Sequence, residues 1–318
     1  MLNSNEAKHE KTVNVSEMIA QNKKKKSISN ITEKLIPTIL FLLASITILT
    51  TLGILFTLLS EAIEFFKRVP IWEFFTGTVL KPLSQTPEFG ILPLITGTLF
   101  STVIAMLVAG PIGLMSAIYL SEYASDSVRK VLKPLLEILA GIPTIVYGFF
   151  AFTFVTPLIR SIWPEVGATN ILSPGLVMGV MIIPMIASLS EDAMNSVPNA
   201  MREGSLAMGA TKLETTFKVV IPAAFSGIIA SFVLGISRAI GETMIVTIAS
   251  GSSKNFTFDI TQSMQTMTAY IVEVSGGEAP AGSTIYYSLY AVALTLFVFT
   301  LIMNLLARYI SRKFREEY

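Results

Sequence analysis

Long charge-free apolar windows alternate along this chain with short charged segments. They cover residues 35–60, 89–121, 138–159, 166–190, 223–250 and 279–307. A helix needs about 20 predominantly apolar residues to cross a bilayer, so the pattern predicts an all-α protein with six membrane-spanning helices. The second window has room for a tilted or re-entrant start as well as a crossing. Gly and Pro punctuate the spans at Gly110, Pro111, Gly113, Gly141, Pro143, Pro184, Gly227 and Gly235. Neighbouring helices can satisfy the backbone groups such residues free, so kinking and close packing are their expected roles.

Composition sharpens this picture. The chain is 52% hydrophobic and 14% charged, against about 25% charged in an ordinary soluble domain. It has no Cys and only His9, which leaves no disulfide, no thiolate or imidazole cluster and no expected metal site. Of its 23 Lys and Arg residues, seventeen flank one set of loops and termini, five flank the other, and Arg238 is the remainder. By the positive-inside rule both termini are cytoplasmic. The basic residues line membrane edges and form no patch for nucleic acid. Residues 1–34, with the run Lys23 to Lys26, read as a disordered basic tail that orients the first span and can touch lipid headgroups. The first apolar window starts too late and runs too long for a secretory signal. Trp72 and Trp163 read as interfacial anchors, and the polar stretch 256–282 is available to an extracytoplasmic partner.

Two charges interrupt the fifth window. Arg238 and Glu242 lie between uncharged runs at 219–237 and 243–253. Each costs roughly 2.5–3.5 kcal/mol near the centre of a membrane helix on insertion scales. On one continuous helix the i, i+4 spacing places them on one face, able to pair. Gly227, Ser231, Gly235 and Ala239 form a stripe of small residues on that face, which predicts a close helix–helix seam. Two readings stay open: a buried salt bridge that fixes register, or an anion path. In the second, Arg238 offers its planar guanidinium fork to an oxyanion and Glu242 competes for it when the anion leaves.

The loop between the fourth and fifth spans is the second informative segment. Pro198 suits a helix start, Met201, Ser205 and Met208 recur at helical spacing, and Gly209 offers a stop. Thr211 and Glu214 form a T-x-x-E capping box that opens a second helix toward Pro222. A short helix held outside the membrane by a stiff elbow can dock a soluble partner. Glu137 at the entrance of the third span is either a helix-end charge or a gating contact. Glu191 and Asp192 at the end of the fourth read as solvated charges within reach of that partner.

The stretch 203–209, Glu-Gly-Ser-Leu-Ala-Met-Gly, followed by nine residues and Val-Val-Ile-Pro at 219–222, resembles the EAA loop of ATP-binding-cassette importer permeases. Glu203, Gly209 and Pro222 match, while Gly204 and Ser205 replace the two alanines. Arg-Ala-Ile-Gly-Glu-Thr-Met at 238–244, Leu-Ala-Gly-Ile-Pro-Thr-Ile-Val-Tyr-Gly at 139–148 and Pro-Met-Ile-Ala-Ser-Leu-Ser-Glu-Asp at 184–192 resemble phosphate-importer permeases of the PstC type. The resemblance implies a type I importer permease fold over residues 89–308, preceded by a first span and extracytoplasmic loop at 35–88 and followed by a cytoplasmic tail at 309–318. It implies a bacterial or archaeal inner-membrane location and a second, PstA-like permease. It also implies an ATPase dimer carrying ATP and Mg²⁺ and an extracytoplasmic protein delivering inorganic phosphate. By position, Arg202, Glu203 and Gly209 in the loop 199–222 serve ATPase coupling, and Arg238 with Glu242 serve translocation.

No G-x-x-x-x-G-K-[S/T] loop occurs, so the chain is not expected to hydrolyse ATP or to need a cofactor of its own. The rival readings are a permease for sulfate or molybdate, an ion-coupled secondary transporter working through Glu242, and a non-transporting sensor or scaffold.

Overall fold

A computed structural model describes the backbone of residues 15–277 and 279–313, and side chains over 35–310 apart from 278 and 307. Residues 1–14 and 314–318 of the predicted tails lie outside the described residues, and residues 15–34, expected to be disordered, are helical. Among the described residues six helices are long and apolar enough to cross a membrane: Leu35–Arg68, Leu92–Tyr123, Thr144–Ile162, Leu172–Asn195, Lys212–Ile240 and Thr284–Ile310. The span count agrees with the apolar windows.

The first helix, α1 (Val15–Arg68), begins well before the predicted span. The chain divides into Met1–Thr57 and Leu58–Tyr318. In the first unit the apolar side chains between Leu35 and Phe56 are largely exposed all round the helix, as suits a span surrounded by lipid.

The second unit holds the core. After α2 (Ile71–Thr76), strands β1 (Leu80–Lys81) and β2 (Glu88–Phe89) pair antiparallel with Leu80 opposite Phe89. Phe65, Phe74, Phe89, Ile91, Leu94 and Tyr270 bury one another at this end. Phe65 meets Phe74 and Phe89 edge-on at 5.4 and 5.5 Å, the geometry that ring quadrupoles favour. The main bundle is α3 (Leu92–Ile118), α7 (Leu172–Asn195) and α10 (Ile221–Ile240). Helix α7 is its centre, packing on both others. A Cβ on Gly179 would fall 2.8 Å from Val108 Cβ of α3, and one on Gly227 only 2.4 Å from Ala193 Cβ. These contacts let the helices approach closely, and Ser190 and Ser231 then share a 2.7 Å hydrogen bond across the α7–α10 seam. The predicted stripe of Gly227, Ser231, Gly235 and Ala239 does form this seam.

The third span differs most clearly in its start from its window. The third starts at Thr144, not at 138. Asp126–Gly141 is a separate amphipathic helix, α4, started by the Ser125 hydroxyl accepting from Val128 N. Pro143 ends it, because the residue before a proline leaves helical geometry, and Tyr147 Oη caps its end by donating to Leu139 O at 2.8 Å. The span proper is α5 (Thr144–Phe150), a π segment Ala151–Val155 and α6 (Thr156–Ile162). Similar π segments, Tyr119–Tyr123 and Thr216–Val220, follow α3 and precede α10. The stretch 256–282 is less open than its polarity suggests. Thr266 caps α12 (Met267–Gly276), whose Met267, Thr268, Ala269 and Tyr270 are buried. The interfacial tryptophans are exposed, Trp72 at 79% and Trp163 at 43%.

Candidate functional site

The fifth span does not run through its charges. Helix α10 stops at Ile240 with Gly241 as its cap, and a new short helix, α11 (Met244–Ala249), starts after Thr243. Glu242 makes that break. Its buried carboxylate Oε1 accepts from Met244 N at 3.1 Å and Ile245 N at 3.4 Å, and its carbonyl accepts from Thr268 Oγ1 at 2.7 Å. A carboxylate suits the unpaired amides at a helix start. The predicted Arg238–Glu242 pair is therefore absent among the described ion pairs. A same-face argument fails once the helix ends between the two residues.

Among the described residues Arg238 is consequently left without a carboxylate. It is exposed on the isolated chain, and its Nη2 reaches Met181 Sδ of α7 at 3.6 Å. It lies beside the small-residue seam and not in it, because Ala239 and Gly235 fill the seam. Arg238 instead faces a cavity of about 440 Å³ that it shares with Met181, Pro184, Lys133, Glu137 and Glu191. From Met181 to Glu191 the cavity follows α7 for about 15 Å at 1.5 Å per residue. Its walls are mainly apolar, with one guanidinium at one end and a charged cluster at the other. An unpaired cation over an apolar cleft can hold an oxyanion through two parallel hydrogen bonds.

The charged cluster differs from its sequence reading. Glu191 is fully buried, not solvated. Its Oε1 lies 3.4 Å from Arg129 Nε and its Oε2 3.2 Å from Lys133 Nζ. Asp192 is exposed and 3.5 Å from the same Lys133. Burial alone would lower the Lys133 pKa, but pairing with Glu191 and the charge of Asp192 outweigh it and raise it above the ordinary lysine value. Glu137 is exposed and lines the cavity one turn along α4 from Lys133. In the sequence, Arg129 and Lys133 stand only among the seventeen basic residues that set the topology. Their i, i+4 spacing on a strongly amphipathic segment was the available signal.

The loop after α7 folds as its spacing predicts. Helix α8 (Asn199–Ala207) follows Pro198, and Gly209 turns the chain at φ +89°. The Thr211–Glu214 capping box closes at 3.3 and 3.0 Å over α9 (Lys212–Thr215). Glu203 and Gly209 are exposed, with Leu206 and Met208 beside them at 47% and 89%. Arg202 points the other way. It donates to Met194 O at 2.7 Å and Val197 O at 2.5 Å and pairs with Glu122 at 3.1 Å. It fastens α8 to the ends of α7 and α3. Among the described residues no group of acidic, His or Cys side chains could hold a metal ion.

Residues 109–316 match the family described as the binding-protein-dependent transport system inner membrane component. The chain is 33% identical over 306 residues to the probable ABC transporter permease protein YqgH of Bacillus subtilis, covering 95% of this chain and 97% of that one. It is 33% identical over 257 residues to the phosphate transport system permease protein PstC of Mesorhizobium japonicum, covering 75% and 77%. For PstC of Haemophilus influenzae the figures are 30% over 295 residues, 86% and 91%. In fold, it is similar to a chain of a bacterial ABC transporter that imports the acidic polysaccharide alginate. That likeness has a TM-score of 0.60 at 15% identity and covers 87% of this chain and 96% of the other. The MetNI methionine transporter gives 0.53 at 16% identity, with 71% and 95% covered.

Proposed function

From the premise that this chain belongs to the family of binding-protein-dependent transport system inner membrane components, we propose that it is one of two permease subunits of an ATP-driven phosphate importer. The observation that carries the reading is Arg238, a guanidinium within a membrane bundle, without a carboxylate partner among the described residues and open to a cavity. The PstC names of several relatives, bacterial and archaeal, support phosphate as the anion.

In this reading a PstA-like permease covers the exposed face of Arg238, and the conduit lies between the two. A phosphate released by an extracytoplasmic binding protein meets the Arg238 fork in a site of low dielectric, where charge-assisted bonds strengthen. Glu242 does not compete for Arg238. It holds the break between α10 and α11, and so fixes where the guanidinium stands. Two ATPase subunits dock on the loops of the two permeases, one of them on the exposed rim of α8 around Glu203, Leu206, Met208 and Gly209, on the cytoplasmic side with both termini. They hold ATP and Mg²⁺, and their closure rocks the two permeases about the α7-centred bundles.

The test is reconstitution of the complete complex in vesicles with its binding protein. The expected result is uptake of labelled phosphate that requires ATP and is not displaced by equimolar sulfate or molybdate. Equal transport of sulfate overturns the phosphate assignment, and uptake driven by an ion gradient without ATP overturns the class.

A further inference from the structure

Glu191 has a wider reach than a single ion pair. Its Oε1 faces Arg129 Nε at 3.4 Å and accepts from Asn195 Nδ2 at 3.4 Å. Arg129 Nη2 in turn donates to Leu120 O at 2.6 Å and Ser121 O at 3.3 Å in the π segment after α3. Ser121 Oγ lies 3.1 Å from Asn195 Oδ1 and 3.0 Å from Glu122 Oε1. Glu122 Oε1 is the atom that Arg202 of α8 binds at 3.1 Å. On its other side, Glu191 Oε2 accepts no hydrogen bond and is matched only by Lys133 Nζ at 3.2 Å. Lys133 is a wall of the Arg238 cavity. An unbroken polar path therefore runs from α8, through the ends of α3 and α7, to α4 and the cavity.

We propose that Glu191 is the positioning residue through which displacement of α8 moves the α4 wall of the Arg238 cavity. A fully buried carboxylate is stable only while its cations stay with it, so α4 must follow α7 or the pair must break as a whole. Lys133 Nζ bridges Glu191 Oε2 at 3.2 Å and Asp192 Oδ1, on an exposed side chain, at 3.5 Å. Holding both carboxylates, or releasing Glu191 to Arg129 and keeping Asp192, gives two discrete arrangements, which is what transmission between sites requires. The proposal rests on the reading that a partner ATPase acts on α8.

The chain has no Cys, so Ala140→Cys, on the cavity wall, gives it a single reporter thiol. In the assembled transporter, the rate of labelling by a membrane-impermeant maleimide is compared without nucleotide and with a non-hydrolysable ATP analogue. With native Glu191 the two rates differ by about fivefold or more, the lower end of ordinary coupling between sites. With Glu191→Gln the difference disappears, while the complex still assembles and hydrolyses ATP. If Glu191→Gln does not assemble, Lys133→Met removes the opposite half of the pair from a partly exposed site and is expected to abolish the difference likewise. A nucleotide response of native size in either variant overturns the proposal. No response even with native Glu191 overturns the ATPase-coupling reading beneath it.

Discussion

Replacing Arg238 by Gln separates transport from stability, because the structure sets the two effects far apart. The guanidinium touches Met181 Sδ at 3.6 Å and holds no carboxylate, so its loss strands no buried anion. The folding change expected for such a site is within about ±0.5 kcal/mol, with a shift toward greater stability because a charge leaves a membrane helix. Transport loses far more. A hydrogen bond to a charged group contributes about 1.5–3 kcal/mol, and Gln replaces a charged two-point fork with a neutral single donor. At about 1.4 kcal/mol per decade, losing one such bond slows uptake about 10- to 150-fold. Labelled-phosphate uptake into vesicles holding the whole complex gives the first quantity, and thermal unfolding of the purified complex gives the second. Uptake at the native rate refutes the anion-contact argument. A complex that unfolds or fails to assemble refutes the claim that Arg238 is structurally unencumbered.

Other substitutions probe the surrounding frame. Glu242→Ala removes the start of α11 and should cost about 0.5–2 kcal/mol in thermal unfolding. Combined with Arg238→Gln, it should show in thermal unfolding less than the interaction energy of about 0.5–3 kcal/mol that residues in contact give; an energy of that size would restore the salt-bridge reading. Gly227→Val drives side-chain atoms into Ala193, whose Cβ is 2.4 Å from the position a Cβ would take, and should lower stability by about 1–3 kcal/mol. Gly209→Val forces a branched residue to φ +89°, at about 1–2 kcal/mol. It should weaken ATPase copurification and phosphate uptake together, and unchanged values of both would dismiss the elbow as a docking element.

Span number and the loop after α7 were legible in the residues because each depends on local signals. Apolar length specifies a crossing, and Pro198, Gly209 and the Thr211–Glu214 pair specify caps within a few positions of themselves. The errors arose where a window of uncharged residues hid a change of direction. Ile142-Pro143 splits an amphipathic surface helix from a span, and Gly241-Glu242-Thr243 ends one helix and starts another. Both breaks carried punctuation that apolarity outweighed in the reading. The cationic partners of Glu191 could not have been read from spacing at all. They come from α4, 58 and 62 residues earlier in the numbering, and only the packing of α4 on α7 brings them to the carboxylate.

The three π segments have a consequence for how such a bundle changes shape. Each stands where a long helix leaves or enters the packed centre: after α3, inside the third span, and between the α8–α9 elbow and α10. A π turn closes i→i+5 bonds in place of i→i+4 bonds and is a place where long helices kink. The molecule thus combines a stiff axle at α7 with three compliant collars around it. If a partner ATPase acts on α8 as proposed, torque applied at that rim is expected to overwind or unwind those collars first and to leave the glycine-tight contacts on the axle closed.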